Sequence, residues 1–201
     1  GRPPVQYKRR WLQSAAFDGD GSSLAMDEQT DEALMARVAG GDRAAFGVLA
    51  QRHAGAVVRL ATHILRNRAE AEDVAQDALL RVWTNAPRWK PVARFRTWLT
   101  RIVVNLCLDR KRRAPWLPLD TAGEIADPRL DAGAQYEANE SERRLTAAIT
   151  ELPPRQRAAI ALTYGEGLSH ADAADILDTS VSALETLLSR AKDNLRRALD
   201  P

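Results

Sequence analysis

The chain has 201 residues, 45% of them hydrophobic and 28% charged, with a net charge of +2. That balance is ordinary for a soluble globular protein of one large or two small domains; no run of about twenty apolar residues offers a membrane span, and no apolar segment follows the basic N-terminus as a secretory signal requires. Cys107 stands alone, so no internal disulfide can form, which fits a reducing cytoplasm, and His53, His63 and His170 lack a second ligand at metal spacing, so neither metal nor cofactor is expected.

Residues 1–27 are rich in Gly, Ser, Asp and Pro without a sustained period, and are read as a flexible extension. Met26 offers an alternative start just ahead of the first helical signal. Leu34 and Val38 make a short apolar stripe ended by Gly40 and Gly41, after which Asp42 can cap a second helix. Phe46, Leu49, His53, Val57, Leu60 and Ile64 then recur at helical spacing. A third helix is expected from about Ala69 to Thr84, stopped before Pro87. Val74, Ala75, Ala78, Leu79 and Val82 form its buried face. Asp73, Gln76, Asp77 and Leu80 gather on the outward side, where a leucine among polar groups suits protein docking better than plain solvation.

The fourth helix, about Val92 to Arg113, has two faces. Phe95, Leu99, Ile102, Val103 and Leu106 should be buried, and the flanking leucines suggest that Cys107 is buried too. Arg94, Trp98, Arg101, Asn105 and Arg112 form a neighbouring strip able to hold anions and to stack. Charge is segregated around it. From Arg88 to Arg113 nine lysines and arginines face one acid, and from Leu119 to Glu142 seven acids face one arginine. The basic block suits a polyanion.

From Ala114 to Asn139 prolines, glycines and the acidic block leave no usable period, so this stretch is expected to be a linker. Four further helices follow, at about Glu140–Glu151, Arg155–Tyr164, His170–Leu177 and Val181–Leu199. In LSHADAADILDTSVSALETLLSRAKDNL, Ser169 and Asp172 make a capping box, and Ser180 caps the helix after a three-residue turn. Ala173, Ile176, Leu177, Val181, Leu184 and Leu188 can lock the pair together as a helix-turn-helix. Ser180, Ser182, Ala183, Glu185, Thr186, Ser189 and Arg190 would face a major groove. The expected fold is all-α: two small bundles joined by a flexible acidic linker. The expected divisions are the extension 1–27, a first bundle 28–113, the linker 114–139 and a second bundle 140–201.

Four segments in this order, GDRAAFGVLAQRH, AEDVAQDALLRVW, FRTWLTRIVVNLCLDRKRR and ELPPRQRAAIALTYGEGLSHADAADIL, resemble the extracytoplasmic-function (group IV) sigma factors of bacterial RNA polymerase. The likeness runs from about Asp31 to Leu199. It implies that the first bundle binds the β′ clamp and melts the −10 promoter element, while the second reads the −35 element and meets the β flap. Asp73, Gln76, Asp77 and Leu80 match the family's polymerase-docking face. Trp89 and Asn105 match its pocket for a flipped base, with Arg94, Arg96, Trp98, Arg101, Lys111, Arg112 and Arg113 on the same DNA. The family often carries Lys and Arg at the positions of Glu185 and Leu187, so its −35 contacts do not transfer directly.

The resemblance further implies an anti-sigma partner, a cytoplasmic location, no membrane insertion and a role in a stress or envelope response. With the last helix reaching the end of the sequence, no regulatory C-terminal domain is expected. No paired acid and base, nucleophile motif or phosphate loop supports an enzyme. A helix-turn-helix regulator working without polymerase is the nearer alternative, and it would have no use for the outward face of the third helix.

Overall fold

The computed structural model describes residues 29–113 and 132–200, and among these it contains helices and no strand. The acidic stretch up to residue 131 lies outside the described residues. Four helices build the first bundle: α1 (Asp31–Ala39), α2 (Arg43–Leu65), α3 (Arg68–Asn85) and α4 (Phe95–Arg113). Four build the second: α5 (Ala132–Glu151), α6 (Pro154–Ile160), α7 (His170–Ile176) and α8 (Val181–Leu199).

The starts of these helices follow from short polar side chains that satisfy otherwise unpaired amides. Thr30, Asp42, Asn67, Ser169 and Ser180 each accept from the backbone amide three residues on. Asp42 also takes Arg37 Nη2 at 2.7 Å, and the Ala45 amide, with Arg37 adding to it, holds its carboxyl below the usual range. Phe95, which opens α4, is served from another helix, its amide donating to Glu32 Oε1 at 3.0 Å. Gly41 turns the chain between α1 and α2 at φ 90, a conformation that favours glycine.

Leu34, Met35, Leu49, Ile64, Val74, Val82, Phe95, Leu99 and Val103 fill the first core. Each large aliphatic side chain so buried stabilises the fold by about 1.5–3 kcal/mol. The buried stripe of α4 differs from the expected one: Ile102 and Leu106 are half-buried, whereas Val104 is fully enclosed; Cys107 is enclosed as expected. Burial pushes the Cys107 thiol up to about 12. In the second bundle Ala158, Leu162, Ile176, Leu184 and Leu188 interlock. Val181, expected among them, is 41% exposed at the first position of α8.

Three features depart from the sequence reading. α5 begins at Ala132 and not near Glu140, since its first two turns carry no apolar period to announce them. The segment after α6 is a widened helical turn, Ala161–Gly165, and does not continue α6 as an ordinary helix. Most consequentially, the two bundles pack against each other, and their buried residues form one continuous cluster. Arg157, only 7% exposed, donates from Nε to the Ile64 carbonyl at 2.8 Å and from Nη1 to the Thr150 carbonyl. Its guanidinium therefore sits at the negative ends of α2 and α5. Arg66 Nε reaches Thr150 Oγ1 at 3.3 Å beside it.

Candidate nucleic-acid and protein interfaces

On α3 the apolar residues Val74, Ala75, Ala78, Leu79 and Val82 are all buried, which turns the other face outward. Asp73 is exposed, Gln76 and Asp77 are half-buried, and Leu80 is 41% exposed. This face is joined to the end of α4 by two ion pairs. Arg110 Nη2 lies 2.9 Å from Asp73 Oδ2, and Lys111 Nζ lies 3.2 Å from Glu70 Oε2. Lys111, expected on a phosphate, is thus already committed to a carboxylate.

Along α4 the expected strip divides into an aromatic end and a polar end. Trp89 follows the short turn Ala86–Arg88 and packs on Trp98, their ring centroids 6.2 Å apart with planes tilted by 53°. Trp98 in turn contacts Phe95 at 6.0 Å. Both tryptophans are half-buried. Asn105 is exposed two turns beyond Trp98 on the same helix, about 10 Å by helical rise. Arg94 is exposed just ahead of α4, Arg112 lies 3.4 Å from Asp109 on its own helix, and Arg113 closes the helix.

Arg101 of the strip and the nearby Arg96 are tied to the second bundle. Arg96 Nη2 meets Glu166 Oε2 at 2.9 Å. Arg101 Nη2 donates to the Asp175 backbone carbonyl and lies 3.1 Å from its carboxylate. Glu166 and Asp175 were not legible as partners, because each reads locally as a solvated acid; their only signal is a sign opposite to that of α4. His63, at the same junction, has its pKa lowered by burial and by Arg66, although Glu166 opposes the shift.

The helix-turn-helix forms as expected. Ser169 Oγ donates to Asp172 Oδ2 at 2.6 Å and accepts from the Asp172 amide at 3.1 Å. Asp178 takes the left-handed conformation, φ 50, in the turn, and Arg155 clamps that turn by donating to the Leu177 carbonyl at 3.0 Å. Ser180, Ser182, Glu185, Thr186, Ser189 and Arg190 are exposed, and Ala183 is half-buried. The Thr186 hydroxyl is spent on the Ser182 carbonyl at 3.0 Å. His170 stands with Nδ1 3.6 Å from Glu185 Oε1, a contact that the sequence does not announce.

Among the described residues no group of three or more His, Cys, Asp or Glu is arranged to hold a metal ion, and no helix is long and apolar enough to cross a membrane.

The family model for Sigma-70 region 2 matches residues 49–117, and that for Sigma-70, region 4 matches residues 142–195. The ECF RNA polymerase sigma factor SigM of Mycobacterium tuberculosis is 37% identical over 200 residues, covering 98% of this chain and 93% of that protein. The RNA polymerase sigma factor CnrH of Cupriavidus metallidurans is 31% identical over 183 residues, covering 86% and 96%. A solved structure of CnrH in complex with the cytosolic domain of CnrY superposes with a TM-score of 0.63 at 28% identity, covering 86% of this chain and 98% of that one. RpoE of Bartonella quintana, solved with the anti-sigma factor NepR, shares the fold at a TM-score of 0.53 and 21% identity, covering 73% and 91%.

Proposed function

The chain belongs to the extracytoplasmic-function sigma factors, and from that premise we propose that it binds core RNA polymerase and directs promoter recognition, DNA melting and initiation, in a stress or envelope response. The first bundle, residues 28–113, takes the clamp and the −10 element. The second, from about residue 140, takes the −35 element and the β flap.

The observation that carries this reading is the junction of α3 and α4. An outward polar face with a 41% exposed Leu80 abuts a helix bearing Trp98, Arg101 and Asn105. A protein-docking face and a nucleic-acid face side by side suit a factor that delivers DNA to a larger machine. Asp73, Gln76, Asp77 and Leu80 meet polymerase. Trp89 and Trp98 offer ring faces on which an extruded base can stack, and Asn105 offers an amide to a base edge. Arg94, Arg96, Arg101, Arg112 and Arg113 hold phosphates, while Lys111 stays on Glu70.

Arg96 and Arg101 hold Glu166 and Asp175 in the closed form, so DNA binding at −10 competes with these two ion pairs and is favoured when the bundles part. Core polymerase and an anti-sigma factor act on that equilibrium in opposite directions. CnrH was solved in complex with the cytosolic domain of CnrY, which supports a protein partner for this chain as well. The factor performs no bond chemistry itself; its work is binding.

The experiment is reconstitution with core polymerase followed by transcription from promoters captured in the native cell. Specific initiation that needs both the chain and core polymerase supports the reading. Specific binding by the chain alone, without co-purification of polymerase, overturns it.

A further inference from the structure

The recognition face of α8 is poor in cations, and this makes its base chemistry unusually easy to assign. Leu184, Leu188 and Ala191 are buried, so Ser182, Glu185 and Thr186 are turned outward on the first two turns, the part of a recognition helix that reaches base edges, while Ser189 and Arg190 are exposed on the third. Of the first three, Thr186 has its hydroxyl engaged by the Ser182 carbonyl, and Ser182 has a short side chain. Glu185 is the one long group on that patch, and an ionised carboxylate can only accept hydrogen bonds.

Base edges in the major groove then sort themselves. Guanine shows two acceptors, N7 and O6, and thymine shows O4, so each would set lone pairs against the carboxylate. Adenine has an amino donor, but its N7 acceptor lies beside it. Cytosine alone presents an amino donor with no neighbouring acceptor on its own edge. Resting on the reading of α8 as the −35 helix, we propose that Glu185 selects a cytosine in that element, accepting a hydrogen bond from its exocyclic amino group. His170 is the positioning residue: it opens α7 and its Nδ1 stands 3.6 Å from one carboxylate oxygen, Glu185 Oε1, so the other oxygen can serve the base.

The test is selection of binding sites from a library randomised across the −35 element, using holoenzyme reconstituted with core polymerase. The wild-type protein should favour cytosine at one position by about 10- to 100-fold over the other bases. Glu185→Gln restores both a donor and an acceptor, the pattern that adenine displays, so preference at that one position should move to adenine while the rest of the profile stays. His170→Ala should reduce the discrimination at that position without changing which base is preferred; a merely structural role would weaken all positions alike. If Glu185→Gln leaves the profile unchanged while the element is still selected, the cytosine assignment is wrong and the promoter reading stands. If the wild-type holoenzyme selects nothing upstream, both fall.

Discussion

Arg101 on α4 and Asp175 on α7 lie 3.1 Å apart, although they belong to different bundles and the arginine is one of the groups expected to grip DNA. The pair is solvent-exposed, and such pairs contribute only about 0–1 kcal/mol. Asp175→Ala should therefore favour the open form by less than tenfold, while Asp175→Arg, which sets like charges together, should favour it more. Fluorescence energy transfer between dyes on α3 and α8 measures the closed fraction. A closed fraction unmoved by charge reversal would show that the pair holds nothing.

The polymerase face makes a separate prediction. Asp73→Arg with Gln76→Ala should abolish core binding, because it reverses charge beside Leu80 and sets a new cation against Arg110. Both positions lie on the outward side of α3, so helix content by circular dichroism should be unchanged. Co-elution of the double variant with core polymerase in gel filtration would sink the docking assignment.

Trp89→Ala should slow or weaken promoter melting by about one to two orders of magnitude, the worth of a stacked base, with less effect on initial duplex binding. Because Trp89 also packs on Trp98, thermal stability must be measured beside permanganate reactivity of promoter thymines. Arg112→Ala with Arg113→Ala should instead flatten the log–log salt dependence by up to about two units and leave base preference alone.

Asp42 gives a prediction about stability and pH. Its carboxyl is held below the usual range in the folded protein, so the stabilisation is present above the ordinary carboxylate pKa and is lost as pH falls through the lower folded value. Asp42→Asn, which still caps but cannot pair with Arg37 as a charge, should be less sensitive to acid over that window. Asp42→Ala should cost about 1 kcal/mol at neutral pH. Thermal melts across pH 3 to 7 (roughly the window set by ordinary carboxylate pKa values) would reveal either effect.

Local chemistry made much of this molecule legible, and distance in sequence hid the rest. Asp42, Ser169 and Ser180 announce helix starts because capping involves residues three apart. The face of α3 could be read because its apolar spacing is clean. On α4 the buried stripe is shifted, since Val104 is enclosed where Ile102 and Leu106 are only half-covered, while the enclosure of Cys107 is legible from its flanking leucines. The arrival of Glu166 and Asp175 at Arg96 and Arg101 had no local signature at all, as those partners are 70 and 74 residues apart. Arg157 was equally hidden: within PPRQRAAI it looks like any surface cation. Family likeness groups Trp89 with Asn105, and the packing of Trp98 on the Trp89 ring is a further contact that spacing alone does not announce.

Arg157 also bears on how this chain can drift. Its acceptors are the main-chain carbonyls of Ile64 and Thr150, which every residue possesses. Substitutions at positions 64 and 150 can change packing but cannot delete the oxygen that the guanidinium reads. The Arg96–Glu166 and Arg101–Asp175 carboxylate pairings are different, for either partner can be lost in one step and recovered only by a second. The junction thus has a component indifferent to the identity of its partners and a component that must change in pairs. A lineage could exchange its surface charges, and with them the ease of parting the bundles, while one buried arginine keeps the docking geometry the same.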